Sequence, residues 1–305
     1  MKIIVTGASG LIGSALVPAL VAAGHQVTAL VRRATRDQTR PGVTEVEWQP
    51  DAGQLDAAQL AGTEAAVHLA GEPIAEGRWT DEKKRRIRAS RVESTRLLAE
   101  TLARLEPRPR ALVSASAIGY YGDRGAEVLT EASAPGNDFL AEVCQAWEAA
   151  AEPARAAGIR VMHPRIGFVL SGRGGGLPRM LVPFKLGVGG RVASGRQYMS
   201  WVALADVVGV VERALTDERL AGPVNTVAPQ PLTNAEFTKT LGRVLGRPTI
   251  FPIPAFGLRL ALGELAEALM LSSARVEPAR LRAAGYEFEY PQLEAALRAA
   301  VAETD

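Results

Sequence analysis

The chain has 305 residues, of which 47% are hydrophobic, with a formal net charge of +2 and one cysteine, Cys144. That hydrophobic content excludes a disordered chain and suffices for one large domain or two unequal ones. The small net charge argues against nucleic acid or a membrane surface as a partner. A lone cysteine cannot form an intrachain disulfide, and we find no signal peptide and no membrane span, so we expect a cytoplasmic protein. The three histidines lie far apart in sequence without the spacing of metal ligands, so no metal site is expected.

A glycine turn follows the first apolar run. Residues 3–5 read as a short buried strand, and Gly7, Gly10 and Gly13 precede a helical pattern. Gly7 permits a tight turn, Gly10 lets the backbone approach a pyrophosphate, and Gly13 lets the helix pack close to the strand. The phosphates of a dinucleotide would then lie on free N–H groups at the start of the helix. Because this turn directly follows a strand at the N-terminus, we predict dinucleotide binding rather than a turn that merely needs glycine.

Two arginines follow the second predicted strand, residues 26–31. NAD-specific folds usually place Asp or Glu here, on the ribose 2′-hydroxyl, whereas this chain has Arg32 and Arg33. A guanidinium is always charged, and its fork suits a phosphate. We therefore predict NADP(H), held at its 2′-phosphate by Arg32 and by Arg33. Since Arg36 and Arg40 follow, the alternative is a solvated basic loop.

The pattern of elements predicts an α/β fold. Predicted strands at 2–6, 26–31, 44–48, 65–70 and 110–115 alternate with helices, notably at 14–23 and 80–105. This alternation predicts a parallel, doubly wound sheet. A helix is predicted at 138–157, and a long glycine-rich and basic loop follows from 171 to 195. Helices dominate from position 232, where Thr233-Asn-Ala-Glu236 predicts a capping box.

We therefore expect two domains. Residues 1–231 would form a nucleotide-binding domain with substrate-lobe insertions at about 171–200, and residues 232–305 a small, mostly helical C-terminal lobe.

The fourth predicted strand ends in small residues, Leu69, Ala70 and Gly71. Small side chains at the carboxyl end of a strand leave room for a cofactor beside the sheet. On local evidence alone, a turn glycine after a buried strand explains this segment nearly as well.

The fifth predicted strand ends in hydroxyl groups. Ser114 and Ser116 end it, and Tyr120 and Tyr121 follow. Doubly wound folds act on ligands at this edge of the sheet. A tyrosine can transfer a proton if a neighbour lowers its pKa toward working pH. The alternative is that both tyrosines pack the turn and bond the backbone.

Several segments together carry a family resemblance: 6–13, 69–71, 114–116, 120–122, 174–176, 195–197, 234–237, 275–278 and 285–288. They resemble the extended short-chain dehydrogenase/reductase superfamily, and more closely its NADPH-binding, nucleoside-diphosphate-sugar epimerase-like subfamily. The resemblance covers essentially the whole chain. It implies a Rossmann-type domain that binds NADP(H) and a small C-terminal domain of unknown role that closes a substrate cleft.

The resemblance also implies cofactor contacts. They are Gly7, Gly10, Leu11, Ile12, Gly13, Arg32, Leu69 and Ala70. Arg33, Gly71 and Ser114, each at or just after the end of a predicted strand, complete the predicted set. Arg91 stands where extended members have an asparagine, on a helix from which it could reach the cofactor's phosphates. Arg86, earlier on the same helix, is a weaker candidate.

The chain departs from the superfamily in its proton donor. Active members use a Tyr-x-x-x-Lys pair, whereas here Tyr120 is followed at that spacing by Arg124 and Tyr121 by Gly125. Ser116 or Tyr121 would then have to handle the proton. An unassisted tyrosine, with a pKa of about 10, is a poor base at neutral pH. Tyr121 therefore needs a cation, for which Arg165 and the nicotinamide ring of NADP⁺ are the candidates.

Arg165, Gln197 and Trp201 are predicted to converge on the substrate cleft. Sugar-nucleotide members carry an arginine after a Gly-x-x-Gln segment, where this chain has residues 198–200, and this argues against a nucleotide sugar. Two functions stay open. The cleft favours an NADP(H)-dependent, epimerase-like oxidoreductase of an unknown small molecule. The missing pair favours a catalytically silent NADPH-binding regulator or sensor of a protein partner, for example in cell division, and of the two we expect the enzyme.

Overall fold

The computed structural model describes residues 1–34 and 41–304, so Arg36 and Arg40 lie outside the described residues. The described strands are β1 (Lys2–Thr6), β2 (Gln26–Val31), β3 (Val43–Glu47), β4 (Ala65–His68), β5 (Ala111–Ser114), β6 (Ser116–Ala117), β7 (Val128–Leu129), β8 (Arg160–Ile166), β9 (Phe168–Leu170), β10 (Tyr198–Met199), β11 (Trp201–Ala203), β12 (Gly222–Thr226), β13 (Leu232–Thr233) and β14 (Arg275–Val276). The described α-helices are α1 (Leu11–Ala22), α2 (Asp81–Ala103), α3 (Phe139–Ala149), α4 (Glu152–Ala156), α5 (Leu177–Lys185), α6 (Leu204–Thr216), α7 (Asn234–Leu245), α8 (Ala255–Leu262), α9 (Glu264–Ala266), α10 (Ala279–Ala283) and α11 (Leu293–Ala302).

The main sheet has the strand order β3-β2-β1-β4-β5-β8-β12, with β6 paired to β8. Every neighbouring pair is parallel. The strand order runs outward from β1 in both directions, so it reverses between β1 and β4. Doubly wound sheets bind ligands at such a reversal, outside the carboxyl ends of the strands. The predicted Rossmann-type, doubly wound parallel sheet with a helical C-terminal region is confirmed.

Alternate side chains of the strands fill two separate cores. Ile3 and Val5 of β1 pack with α1 and α6 on one face, whereas Ile4 packs with α2 and the segment around α4 on the other. Because both faces are covered, the central strands are apolar throughout, which is typical of parallel sheets.

Two predicted elements need correction. The predicted loop at 171–195 contains α5, because Leu177, Leu181 and Phe184 lie on one side of a helix and are buried in a third core. The predicted helix at 138–157 is two helices, since Pro153 has no N–H to continue the hydrogen-bond ladder and starts α4 instead. The capping box at Thr233 and Glu236 is confirmed.

The C-terminal segment packs tightly against the rest of the chain. Phe237 and Leu297 share the third core with Leu177 and Trp201, and β14 pairs with β7. The division into domains at residue 231 stays a prediction. Among the described residues, no helix has the length and apolar character that crossing a membrane requires.

Candidate functional site

The glycines between β1 and α1 have different roles. Gly7 has a φ of +67°, and a Cβ on it would lie 2.8 Å from the carbonyl carbon of Leu69. A Cβ on Gly13 would lie 2.2 Å from the carbonyl oxygen of Gly7. Gly10 is exposed, with a φ of −74° that any residue adopts, and a Cβ there would meet only the Gly7 oxygen, at 3.3 Å. The fold therefore requires Gly7 and Gly13, whereas Gly10 keeps a surface open.

The start of α1 has the character of an anion site. Its first residues, Leu11, Ile12 and Gly13, present N–H groups that lack intrahelical partners. Gly10 offers no side chain to cap them, and the first turn of the helix contains no acidic residue. The positive end of the helix dipole adds to their attraction for a negative charge.

A buried polar network fixes the turn that faces these N–H groups. The Thr6 hydroxyl accepts hydrogen bonds from the backbone N–H groups of Leu69 and Ala70, both at 3.1 Å, and lies 2.7 Å from Nδ1 of His68. The other ring nitrogen of His68 lies 3.2 Å from the Ser94 hydroxyl, which itself donates to the Ser90 carbonyl. These partners assign a neutral His68 that accepts from Thr6 and donates to Ser94. Burial, aided by the charge of Arg91, lowers the pKa of His68 to about 3.

This network predicts acid sensitivity of the fold. Between pH 6.5 and about 3 the unfolded chain protonates His68 while the folded chain does not, so stability falls as the pH falls. At about 1.4 kcal/mol per pH unit, the loss by pH 4.5 is about 2 to 3 kcal/mol. Urea unfolding at pH 7 and pH 4.5 measures it. The difference in unfolding free energy between the two pH values should shrink in His68→Gln and persist in His25→Gln. Equal pH dependence of stability in His68→Gln and wild type would contradict the assignment of a neutral, buried His68.

Arg32 and Arg33 follow β2 as exposed side chains. Within the described part of the chain, neither makes a hydrogen bond or an ion pair with another residue. The pKa of Glu72 is lowered, chiefly by a hydrogen bond from Lys83, with a smaller contribution from the charge of Arg32. The charge of Arg32 therefore acts as far as the Glu72 carboxylate.

Arg91 borders the turn after β4 with its guanidinium, whereas Arg86 reaches that turn only through an ion pair with Glu72, Nε to Oε1 at 3.8 Å. A Cβ on Gly71 would lie 3.2 Å from Cζ of Arg91. Nη1 of Arg91 donates to the carbonyls of Glu72 and Ile87, and its guanidinium lies over the ring of Trp147. By contrast, Arg86 donates to Glu82 on the exposed face of α2. That competing carboxylate weakens the case for Arg86 as a phosphate ligand.

A second buried polar network lies beyond β5. The Ser116 hydroxyl donates to Oε1 of Glu148 at 2.7 Å. Arg165 holds the same carboxylate with two hydrogen bonds, from Nε at 2.8 Å and from Nη2 at 2.9 Å. Its Nη1 donates to the hydroxyl of Tyr121 at 3.0 Å, and that hydroxyl donates to Oδ1 of Asn225 at 2.7 Å. These contacts join the Ser116 hydroxyl, the Glu148 carboxylate and the Arg165 guanidinium into one network.

The hydroxyl of Tyr121 is enclosed by protein groups, and its side chain is 0% exposed. Arg165 lies beside it, as predicted, but burial outweighs that charge and raises the pKa of Tyr121. This environment disfavours proton transfer by Tyr121, whose catalytic role stays a prediction. Its hydroxyl helps to position Arg165, whose guanidinium also stacks over the ring of Tyr120 at 3.4 Å.

The three residues predicted to contact a substrate are packed inside the protein. Arg165 is 2% exposed and bound to Glu148. Trp201 is 0% exposed because it fills the third core. Gln197 is 8% exposed, and its amide donates to the carbonyls of Val192 and Met270. All three side chains are enclosed by protein groups in this structure, and their contact with a substrate stays a prediction.

Ser114 lies at the end of β5, deep under the sheet edge. Its hydroxyl is buried and has no hydrogen-bond partner within the described residues. Ser116, 2% exposed, differs because its hydroxyl is bound to Glu148. The two strand-end serines are therefore distinct: one hydroxyl is free for a further partner, and the other is coupled to a carboxylate.

Sequence reasoning missed Glu148 and Asn225. A signal for Glu148 was present, since it follows Cys144 and Trp147 on the side of α3 that faces the core. A carboxylate on a buried helix face requires a cationic partner. Asn225 gave no comparable signal, because a short strand with one polar residue is common at a sheet edge.

Known protein families match most of the chain. The model of the NAD-dependent epimerase/dehydratase family matches residues 3–226. The chain belongs to this family. A domain of unknown function, DUF1731, matches residues 253–300. The family resemblance found in the sequence motifs is therefore confirmed, together with the small C-terminal region.

Relatives within the family match along nearly the whole chain. Epimerase family protein Mb2239 of Mycobacterium bovis is 42% identical, over 96% of this chain and 95% of its own. Epimerase family protein YfhF of Bacillus subtilis is 35% identical, over 99% of each. The crystal structure of human epimerase family protein SDR39U1 with NADPH has a TM-score of 0.89 and 35% identity, covering 99% of each chain.

Proposed function

We propose that this chain is an NADP(H)-dependent, epimerase-like oxidoreductase that acts on a small molecule. The observation that carries the proposal is the uncapped start of α1 at the same edge of the sheet as the Ser116 hydroxyl, which is coupled to Glu148. Placement of an anion site and a proton-carrying group at the carboxyl ends of one parallel sheet is typical of dinucleotide-dependent enzymes.

The residues present fit the dinucleotide. The first N–H groups of α1 would hold its pyrophosphate, and Arg32, with Arg33, its 2′-phosphate. The open surface at Gly10 supports this arrangement. The turn at Leu69–Gly71 and the guanidinium of Arg91 would border the rest of the molecule. The human relative solved with NADPH gives independent support.

The chain's own residues would manage the proton. When bound, the nicotinamide supplies or accepts a hydride. The Ser116 hydroxyl would donate a proton to, or accept one from, the reacting oxygen of the substrate. Oε1 of Glu148, at 2.7 Å, would exchange that proton with Ser116, and Arg165 holds this carboxylate in place with two hydrogen bonds.

A turnover panel tests the proposal. Alcohols, aldehydes, ketones and nucleotide sugars are supplied with NADP⁺ or NADPH, and the absorbance of the reduced nicotinamide is followed. Net oxidation or reduction of any class that wild type supports and Ser116→Ala does not would bear the proposal out. A broad panel without turnover, by a protein that binds NADPH, would favour the second candidate function.

That second candidate is an NADPH-binding regulator without turnover. Two observations favour it: no tyrosine in the chain has a lysine four residues later, and Tyr121 is fully buried. Such a protein would report NADPH to a protein partner. Binding of NADPH would then alter association with that partner, and Ser116→Ala would leave this response intact.

The cofactor assignment predicts a preference for NADPH over NADH. Arg32→Ala removes a charge-assisted contact to the 2′-phosphate and is expected to cost about 1.5–3 kcal/mol of NADPH binding. NADH affinity should stay unchanged, because NADH lacks that phosphate. Calorimetric titration of both dinucleotides into wild type and variant measures this, with Arg155→Ala, which removes an exposed arginine of α4, as the control. Equal affinity of the wild type for NADH and NADPH would contradict the assignment.

A further inference from the structure

A glycine-rich segment, residues 171–176, lies directly on the start of α1, and we call it the strap. A Cβ on Gly175 would lie 2.9 Å from Cδ2 of Leu11, and one on Gly174 would lie 3.5 Å from Cδ1 of the same side chain. Leu11 is the first residue of α1. The strap therefore packs on the first side chain of α1, at the helix end that carries the free N–H groups, and a side chain at Gly175 would collide with Leu11.

One carboxylate near the C-terminus anchors the strap. Glu303 accepts hydrogen bonds from the Ser171 hydroxyl and from the Gly172 N–H, both at 2.8 Å. It also forms an ion pair with Nε of Arg173 at 3.3 Å. Three successive strap residues therefore depend on a single side chain at the end of α11.

Packing confines the strap at both ends. A Cβ on Gly172 would lie 2.2 Å from the carbonyl oxygen of Ala300, and a Cβ on Gly176 would lie 2.5 Å from the ring of Phe168. The strap thus lies backbone-to-backbone on α11 at one end and against β9 at the other. Loss of the Glu303 contacts would free only the residues between Gly172 and Gly176, which include the two glycines that pack on Leu11.

We propose that the strap closes over the pyrophosphate of the bound dinucleotide, and that Glu303 is the positioning residue that holds it closed. This inference rests on the proposed function, because it takes NADP(H) as the ligand. The C-terminal segment would then set how long the cofactor stays bound. A released strap would expose the N–H groups of α1 to water and would speed dissociation of the dinucleotide.

The test compares dissociation rates. Glu303→Ala should release NADPH about five- to tenfold faster than wild type in a stopped-flow chase, since it removes three polar contacts to the strap. The matched control is Glu294→Ala, which removes a carboxylate of the same helix that pairs with Arg243 and Arg298 instead. Adenosine 2′-monophosphate lacks the pyrophosphate, so its affinity should be the same in Glu303→Ala and wild type, whereas Arg32→Ala should weaken it.

The outcomes separate the two proposals. If wild type binds NADPH and Glu303→Ala releases it at the wild-type rate, the strap assignment is overturned and the proposed function stands. If wild type binds no NADPH, the strap assignment and the proposed function are both overturned. Should Glu303→Ala fail to fold, Arg173→Ala replaces it, because that side chain is 63% exposed and its removal breaks only the ion pair. Arg173→Ala should release NADPH about two- to threefold faster than wild type. An unchanged dissociation rate would overturn the strap assignment.

Discussion

Gly10→Val is expected to abolish NADPH binding in a protein that remains folded. A valine side chain would occupy the open surface beside the first turn of α1, where the pyrophosphate would accept its hydrogen bonds. Loss of two such charge-assisted bonds, at about 1.5–3 kcal/mol each, raises Kd by at least about a hundredfold. The backbone at Gly10 has φ −74° and ψ 174°, angles that valine adopts, and the added Cβ would lie 3.3 Å from the Gly7 oxygen, which a small local shift accommodates.

The control for this prediction is another glycine of the same turn. Gly13→Val should lower the melting temperature sharply, because its Cβ would overlap the carbonyl oxygen of Gly7. Calorimetry with NADPH and a thermal melt of both variants measure the contrast. Retained NADPH affinity in a folded Gly10→Val protein would mean that the glycine turn serves the fold alone.

Ser116→Ala is expected to lower turnover by about a hundredfold or more, with NADPH affinity unchanged. General acid–base groups typically contribute about 10²–10⁴-fold, and Ser116 is the hydroxyl at the strand end that is coupled to a carboxylate. Single-turnover kinetics together with dinucleotide titration separate the effect on chemistry from the effect on binding.

Tyr121→Phe is the informative companion to Ser116→Ala. Its hydroxyl is buried between Arg165 and Asn225, so its removal should lower stability by about 1–3 kcal/mol and leave the chemical step nearly intact. If Tyr121→Phe stops turnover at full cofactor occupancy while Ser116→Ala does not, the proton passes through the tyrosine after all, and our assignment of Ser116 is wrong.

The outline of the fold was predictable because its signals are local. Alternating strands and helices, the glycine turn and the capping box at Thr233 each occupy a few adjacent residues, and each was found in the predicted place. Helix α5 was missed because glycine and basic residues around it mask an apolar face that only its burial in the third core makes evident.

The interior of the site was less predictable, since its partners are distant in sequence. Ser116, Glu148 and Arg165 come from β6, α3 and β8, and nothing in the local pattern pairs them. Trp201 and Gln197 were predicted to converge on the substrate cleft. Their burial follows from how β11 and the C-terminal helices pack, which the sequence pattern does not encode locally.

Transfer of deuterium from the cofactor tests the account most directly, because the substrate does not have to be identified beforehand. The protein is incubated with NADPH deuterated on the transferable face of its nicotinamide and with a small-molecule extract, and products are searched by mass spectrometry. The account predicts a deuterium-labelled small molecule with wild type and none with Ser116→Ala, both proteins binding NADPH equally. Saturated NADPH binding without any labelled product, using either face of the nicotinamide, would contradict it.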